Sequence, residues 1–250
     1  MERIPRNSVD VVLTNPFYNT NEKAGRNSTL TNTPSKTGYT HVRYDVHIDN
    51  MTTGEYRNFT VRLFEKFDQI LTANGVILYN ISYGSKGGDN LIDVISDIVH
   101  KTNFSLADMI VWKKNTALPN NCSPNKLTRI WEFVLVFCRK SEFMTFQTNK
   151  RVKSYRKTGQ ASYESITNYI EAKNNDGACP FNKATYSTDL CKQLLTIYAP
   201  VGGCVYDPFM GTGTTAVACK ELDLHYIGSE ISANQVEWAK RRLASRELVT

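Results

Sequence analysis

The stretch VYDPFMGTGTTAVACKEL, residues 205–222, passes from a short apolar run through a glycine turn into small residues of helical character. Gly211-Thr-Gly213-Thr-Thr-Ala216 fits the G-x-G-x-x-G/A fingerprint of a strand-turn-helix unit that binds an adenosine-type cofactor. Two glycines let backbone approach a ligand closely, and the helix that follows offers free N–H groups at its positive end. Glu230, at the end of the next strand, is placed to hold ribose hydroxyls. A dinucleotide is disfavoured, because its fold needs a second mononucleotide half and only 34 residues follow Ala216. Asp207, four residues before Gly211, suits a cationic cofactor and would repel a pyrophosphate.

Outward from this turn, strand and helix alternate. Val9–Leu13 reads as a strand buried on both faces, and it ends abruptly in Asn15-Pro16-Phe17-Tyr18. The pattern predicts helices over 58–73, with Asn74-Gly75 as the stop, and over 89–101, 188–198, 214–222 and 233–246. Strands are predicted over 76–81, 106–112, 131–137, 204–206 and 225–228. The implied fold class is α/β: a doubly wound, mainly parallel sheet with helices on both faces. Residues 19–50 have neither period and are read as a mobile loop, and residues 140–178 as a small insert.

Charge is uneven. The 250 residues carry a net +6, too mild to identify a partner, but its placement says more. No acidic residue lies between Lys23 and Tyr44, where Lys23, Arg26, Lys36 and Arg43 are basic. Asn149–Lys157 packs Lys150, Arg151, Lys153, Arg156 and Lys157 around Tyr155. Basic runs interleaved with tyrosines favour nucleic-acid contact. The six cysteines form no C-x-x-C pair and meet no histidine cluster, which argues against a metal site and a disulfide framework. No leader pattern or membrane-length apolar run is visible, so a cytoplasmic protein is expected.

DPFMGTGTTAVACKELDLHYIGSEIS, with VDVVLTNPFY upstream, closely resembles the S-adenosylmethionine-dependent amino DNA methyltransferases, in the group whose catalytic motif precedes the cofactor motif. IPRNSVD, TTGEYRNF, IVWKK, WEFVLVFCRK and CPFNKAT are similar to family landmarks in the expected order, so the likeness covers most of the chain. It implies one methyltransferase domain over residues 1–250, a seven-stranded Rossmann-like sheet, and target recognition by the 140–178 insert. The short element that often precedes the first strand in the family has no visible counterpart, which suggests a shortened start.

The resemblance makes Asn15, Pro16, Phe17 and Tyr18 the catalytic tetrapeptide. An exocyclic amine on a base delocalises its lone pair into the ring and is a poor nucleophile. The Asn15 side-chain carbonyl and the Pro16 main-chain carbonyl would each accept an amine hydrogen bond and draw the nitrogen towards tetrahedral geometry. Tyr18 would stack on the everted base, while Phe17, unusual at the third place, would prop the loop. Asp207, Pro208, Phe209, Gly211, Gly213, Thr214, Thr215 and Glu230 would surround S-adenosylmethionine, with Lys183 beside it. A cysteine nucleophile for C5 chemistry has no Pro-Cys setting; Cys179-Pro180 has the reverse order.

DNA is the implied partner. Lys113, Lys114 and Arg129 of the Trp112–Arg129 connection would join the two basic segments in contacting phosphate. A homodimer and a separately encoded cognate restriction endonuclease are the further partners that the likeness allows; no membrane and no metal are expected. Asn15 tilts the target to the N6 of adenine, with the N4 of cytosine as alternative. A catalytically silent DNA-binding subunit is the reading from another class. Protein glutamine methylation is disfavoured by the motif order and the basic runs.

Overall fold

The computed structural model describes residues 1–19, 51–82, 89–117, 124–125, 127–146, 148–177 and 185–245. Lys23, Arg26, Lys36 and Arg43 of the polar stretch, and Cys179 and Lys183, lie outside them.

Among the described residues, nine strands and five α-helices follow in chain order: β1 (Val9–Thr14), α1 (Thr53–Ile70), β2 (Leu71–Ile81), α2 (Asp89–Lys101), β3 (Phe104–Lys114), β4 (Trp131–Arg139), β5 (Val152–Tyr155), β6 (Ala161–Tyr163), β7 (Tyr169–Ala172), α3 (Thr188–Tyr198), β8 (Cys204–Asp207), α4 (Thr214–Glu221), β9 (His225–Gly228) and α5 (Ala233–Ala244). Seven strands form one sheet in the order β7-β3-β4-β2-β1-β8-β9. Only β4 runs against its neighbours β2 and β3; the other pairings are parallel. The mainly parallel α/β expectation therefore holds, with one reversed strand inside the sheet.

β1 lies inside the sheet, between β2 and β8, which is why its side chains are almost continuously apolar. Its residues feed two cores, the alternation being shifted by the irregularity between Val9 and Val11. Val11 and Leu13 pack with Leu190, Leu194, Ala218 and Cys219 of α3 and α4 on one face. Val9 and Val12 pack with Phe64, Phe67, Val94 and Ile98 of α1 and α2 on the other. Two buried faces on a seven-stranded sheet remove enough apolar area from water to hold the strand ends in fixed positions.

Beyond shifts of one or two residues at several ends, three larger departures from the sequence expectation each have a local reason. α1 starts at Thr53 because Thr52 and Glu55 close a capping box there: the Thr52 hydroxyl accepts from the Glu55 N–H, and Glu55 accepts from the Thr52 N–H. Asn74-Gly75 does not stop this helix; it lies inside β2, where two residues of β1 are spanned by five of β2. Asn74 has a φ of 59°, and a Cβ on Gly75 would lie 3.2 Å from the Asp10 carbonyl oxygen, so the pair marks a bulge. The 140–178 insert, finally, is only partly an appendage. β5 and β6 form a separate ribbon, but β7 joins the main sheet parallel to β3, with Ile170 and Ala172 buried.

Candidate active site

The ends of β1 and β8 are neighbours, so the Asn15–Tyr18 turn and the glycine turn meet at the tip of the sheet. The Thr14 hydroxyl donates to Asp207 Oδ1 at 3.0 Å, and the Phe17 and Phe209 rings pack edge-on with centroids 5.9 Å apart. This is the carboxyl end of an open sheet beside the strand where the chain order reverses, the usual place for a ligand in such folds.

Asp207 was expected to face a cationic cofactor; its carboxylate instead points inward. It is 1% exposed, and protein donors use both oxygens. Oδ1 accepts from Thr14 and from the Phe209 N–H, while Oδ2 accepts from Thr215 at 2.6 Å and Tyr186 at 3.2 Å. Burial pushes this carboxyl up to about 6, against the pull of those four hydrogen bonds. Asp207 thus ties the strand that carries Asn15 to the turn that carries the glycines. Tyr186, itself buried, closes the knot: its oxygen also lies 2.5 Å from the Thr215 hydroxyl, so the two hydroxyl hydrogens are shared over three contacts. No local pattern in the sequence marked Tyr186.

Glu230 shapes the same turn from the other side. Its Oε2 accepts from the Gly211 N–H, and its Oε1 from the N–H groups of Ile231 and Ser232. With two acceptor positions per oxygen, one on Oε2 has no donor among the described residues and suits a ribose hydroxyl. Gly211 and Gly213 have φ of 53° and 83°, and a Cβ on Gly213 would sit 2.8 Å from the Ala239 Cβ, so α5 can close on the turn only because no side chain is there. Gly213 caps α4 without a side chain, which leaves its first N–H groups for an anionic group such as a carboxylate. Thr214 and Thr215 are buried, and Pro208 and Phe209 half-buried, around this cradle. Arg242 of α5 braces it with hydrogen bonds to the Thr212 carbonyl and the Thr214 hydroxyl and an ion pair with Asp176.

Asn15 is half-buried, and its side-chain oxygen accepts from the Tyr18 hydroxyl at 2.5 Å and from Asn80 Nδ2 at 3.1 Å. Pro16 is buried. Phe17 is buried against Tyr56, Phe59 and Phe209, and its carbonyl takes the Tyr56 hydroxyl at 2.8 Å. It turns away from the site and fixes the loop from behind.

The basic residues divide. Lys114 does not reach outward: it pairs with Glu132 on β4 and lies over the Trp112 ring. Lys113 pairs with Glu171 of β7 at 2.9 Å, on the exposed face. Arg129 is half-buried. On the ribbon, Arg151, Lys153, Arg156 and Lys157 are exposed, Lys150 is half-buried, and among the described residues none of the five makes an ion pair. Tyr155 and Tyr163 beside them are 72% and 56% exposed. Among the described residues no histidine, cysteine and carboxylate cluster could hold a metal, and no helix is long and apolar enough to cross a membrane.

The family profile of the N6/N4 DNA methylases matches residues 9–241, from the first strand into the last helix. The chain belongs to that family. M.Cfr9I, a type II methyltransferase of Citrobacter freundii, is 22% identical over 284 residues, covering 99% of this methylase and 85% of the relative. M.BglII, a type II methyltransferase of Bacillus subtilis, is 24% identical over 260 residues; the alignment covers 96% of this methylase and 65% of that one. The crystal structure of M1.HpyAVI with S-adenosylmethionine superposes with a TM-score of 0.58 at 20% identity, over 94% and 89% of the two chains. The cytosine-N4-specific PvuII DNA methyltransferase does so with 0.67 at 15%, over 96% and 81%. At such identities these structures speak to the fold, a Rossmann-like methyltransferase sheet.

Proposed function

We propose that this methylase moves a methyl group from S-adenosylmethionine to the exocyclic N6 of adenine in DNA, on a base everted from the duplex. The observation that carries the reading is the joining of the two turns through Thr14 and Asp207, which sets Asn15 beside the glycine cradle. When bound, S-adenosylmethionine supplies a methyl group on a cationic sulfur that leaves as a neutral thioether. The cradle fits it: Glu230 keeps one acceptor for a ribose hydroxyl, and the uncapped start of α4 offers N–H groups to the methionine carboxylate. Asn15 Oδ1 accepts one hydrogen of the target amine and concentrates the lone pair on nitrogen. Asn15 is not a base, so the proton lost from the methylated nitrogen goes to water, and the rate comes from alignment and fixed dipoles.

The exposed ribbon supplies the DNA contact. Arg151, Lys153, Arg156 and Lys157 meet phosphate, and Tyr155 and Tyr163 offer flat faces to bases or sugars. Adenine is preferred to cytosine because an amide first residue in the tetrapeptide accompanies N6 transfer more often in the family that the sequence resembles. Labelled methyl transfer to unmethylated DNA, followed by mass analysis of the nucleosides, tests the proposal. N6-methyladenine is expected, with loss of transfer and intact cofactor binding in Asn15→Ala. N4-methylcytosine would move the target to the other amine, and a wild-type chain with no transfer to any DNA would make it a silent DNA-binding subunit.

A further inference from the structure

Four polar side chains stand in a row across neighbouring strands at the tip of the sheet: Asn15 after β1, Asn80 near the end of β2, Glu132 at the start of β4 and Lys114 at the end of β3. Their alignment follows from β4 being reversed, so that it begins where its neighbours end. Asn80 continues the alternation of Val76 and Leu78, Glu132 that of Val134 and Val136, and Lys114 that of Ile110 and Trp112, all on the face covered by α3.

Asn80 is the centre of this row and is 1% exposed. Its Nδ2 lies 2.8 Å from the Tyr18 hydroxyl, 3.1 Å from Asn15 Oδ1 and 3.3 Å from Glu132 Oε2. Its own Oδ1 has no hydrogen-bond partner among the described residues. Turned end for end, the amide would set its oxygen against Asn15 Oδ1 and Glu132 Oε2, neither of which donates, so Asn80 acts as a donor. With the Tyr18 hydrogen counted, three hydrogens serve these three oxygens, and the carboxylate oxygen Glu132 Oε2 keeps room to accept a second. Tyr18 meets the same choice, with Asn15 Oδ1 at 2.5 Å and Glu132 Oε2 at 3.3 Å. Lys114 holds the other oxygen of Glu132.

The spare capacity of Glu132 Oε2, 3.3 Å from both Asn80 Nδ2 and the Tyr18 hydroxyl, has a use once a substrate amine arrives. The amine needs Asn15 Oδ1, which the Tyr18 and Asn80 donors already occupy, and a buried donor deprived of its acceptor is costly. Resting on the assignment of Asn15 as the amine acceptor, we propose that Asn80 and Glu132 are positioning residues for methyl transfer. Asn80 aims the Asn15 carboxamide, and Glu132, clamped by Lys114, takes the hydrogen bonds of Asn80 and Tyr18 as the target amine claims the Asn15 oxygen.

The test is steady-state methylation of DNA by the full chain. Asn80→Ala lowers kcat by about 10- to 100-fold, the cost of a misaimed group, while KM for S-adenosylmethionine changes less than about twofold. Asn80→Asp loses its donor when ionised and regains an O–H when protonated, facing Glu132, Lys114 and Tyr18. Its kcat relative to wild type therefore climbs as the pH is lowered. In Glu132→Gln, adding Tyr18→Phe costs less than Tyr18→Phe costs wild type, because the exchange is already broken. Equal kcat in Asn80→Ala and wild type, or a flat Asn80→Asp ratio across pH, overturns the proposal. Full transfer by Asn15→Ala would instead remove the assignment on which it rests; a dead Asn15→Ala with a fully active Asn80→Ala removes the positioning role alone. The Asn80→Asp profile decides the matter even if Asn80→Ala melts early.

Discussion

Asp207→Asn isolates what the buried carboxylate costs. In the folded chain its pKa stands at about 6, raised from 3.8 chiefly by loss of water around the charge. A shift of roughly 2 units corresponds to about 3 kcal/mol between the two protonation states. An acid whose folded pKa is raised binds its proton more tightly when folded. Its favourable contribution is therefore complete below about pH 4 and is lost as the pH rises through 6. Asparagine keeps an acceptor for Thr14 and the Phe209 N–H, and its amide hydrogens can meet Thr215 and Tyr186, whose hydroxyls also accept. The stability of the variant minus that of wild type should then grow by about 3 kcal/mol between pH 3 and pH 7. For a chain of this size that is roughly 6–12 °C in Tm. Urea unfolding of both proteins at matched pH values measures it, and the other titrating groups cancel in the difference. A difference that stays constant over this range would show that the carboxylate is not held out of water, and the description of Asp207 as the buried tie between the two turns would fail.

At the acid end the sign reverses for Asp97, which its hydrogen bond from Arg57 holds down at about 2: its contribution is present above about pH 4 and is lost as the pH falls through 2. Arg57→Met should move the acid-unfolding midpoint, followed by circular dichroism, to higher pH. Phe17→Ala empties a site walled by Tyr56, Phe59 and Phe209 and should cost about 3 kcal/mol in urea unfolding, with a lower kcat because both turns loosen. Replacing Lys153, Arg156 and Lys157 by Gln should leave the melting temperature unchanged. It should reduce the slope of log affinity for DNA against log salt by about 2 to 3, read by fluorescence anisotropy at several salt concentrations.

The two turns were legible because each rests on residues with few substitutes: glycines at positive φ, and a proline after a buried strand. α3 matched its expected span, since Ser187 caps it through the Leu190 N–H and buried residues recur at helical spacing. β7 was missed because four residues are too short to show a period, and its place at the edge is set by β3, some 58 positions away. The Asn80–Glu132–Lys114 row was illegible for a similar reason. Its members are 18 to 65 positions from their partners, and only the reversal of β4 aligns them. One signal was present: an asparagine ending the apolar run Val76–Tyr79, where a strand buried on both faces has no use for it. The inward aim of Asp207 was hidden because local sequence does not say which side of a turn a carboxylate takes.

The ribbon is tied down at both of its ends. Before it, Asn149 donates to the carbonyls of Thr196, Ile197 and Ala199 at the close of α3; after it, Tyr169 enters the sheet beside Val111. Everything between these moorings stands clear of both cores. On the proposed reading, in which this ribbon meets DNA, residues 150–168 form an exchangeable cassette: grafting would rewrite the contact to DNA while the strand tips stay as they are.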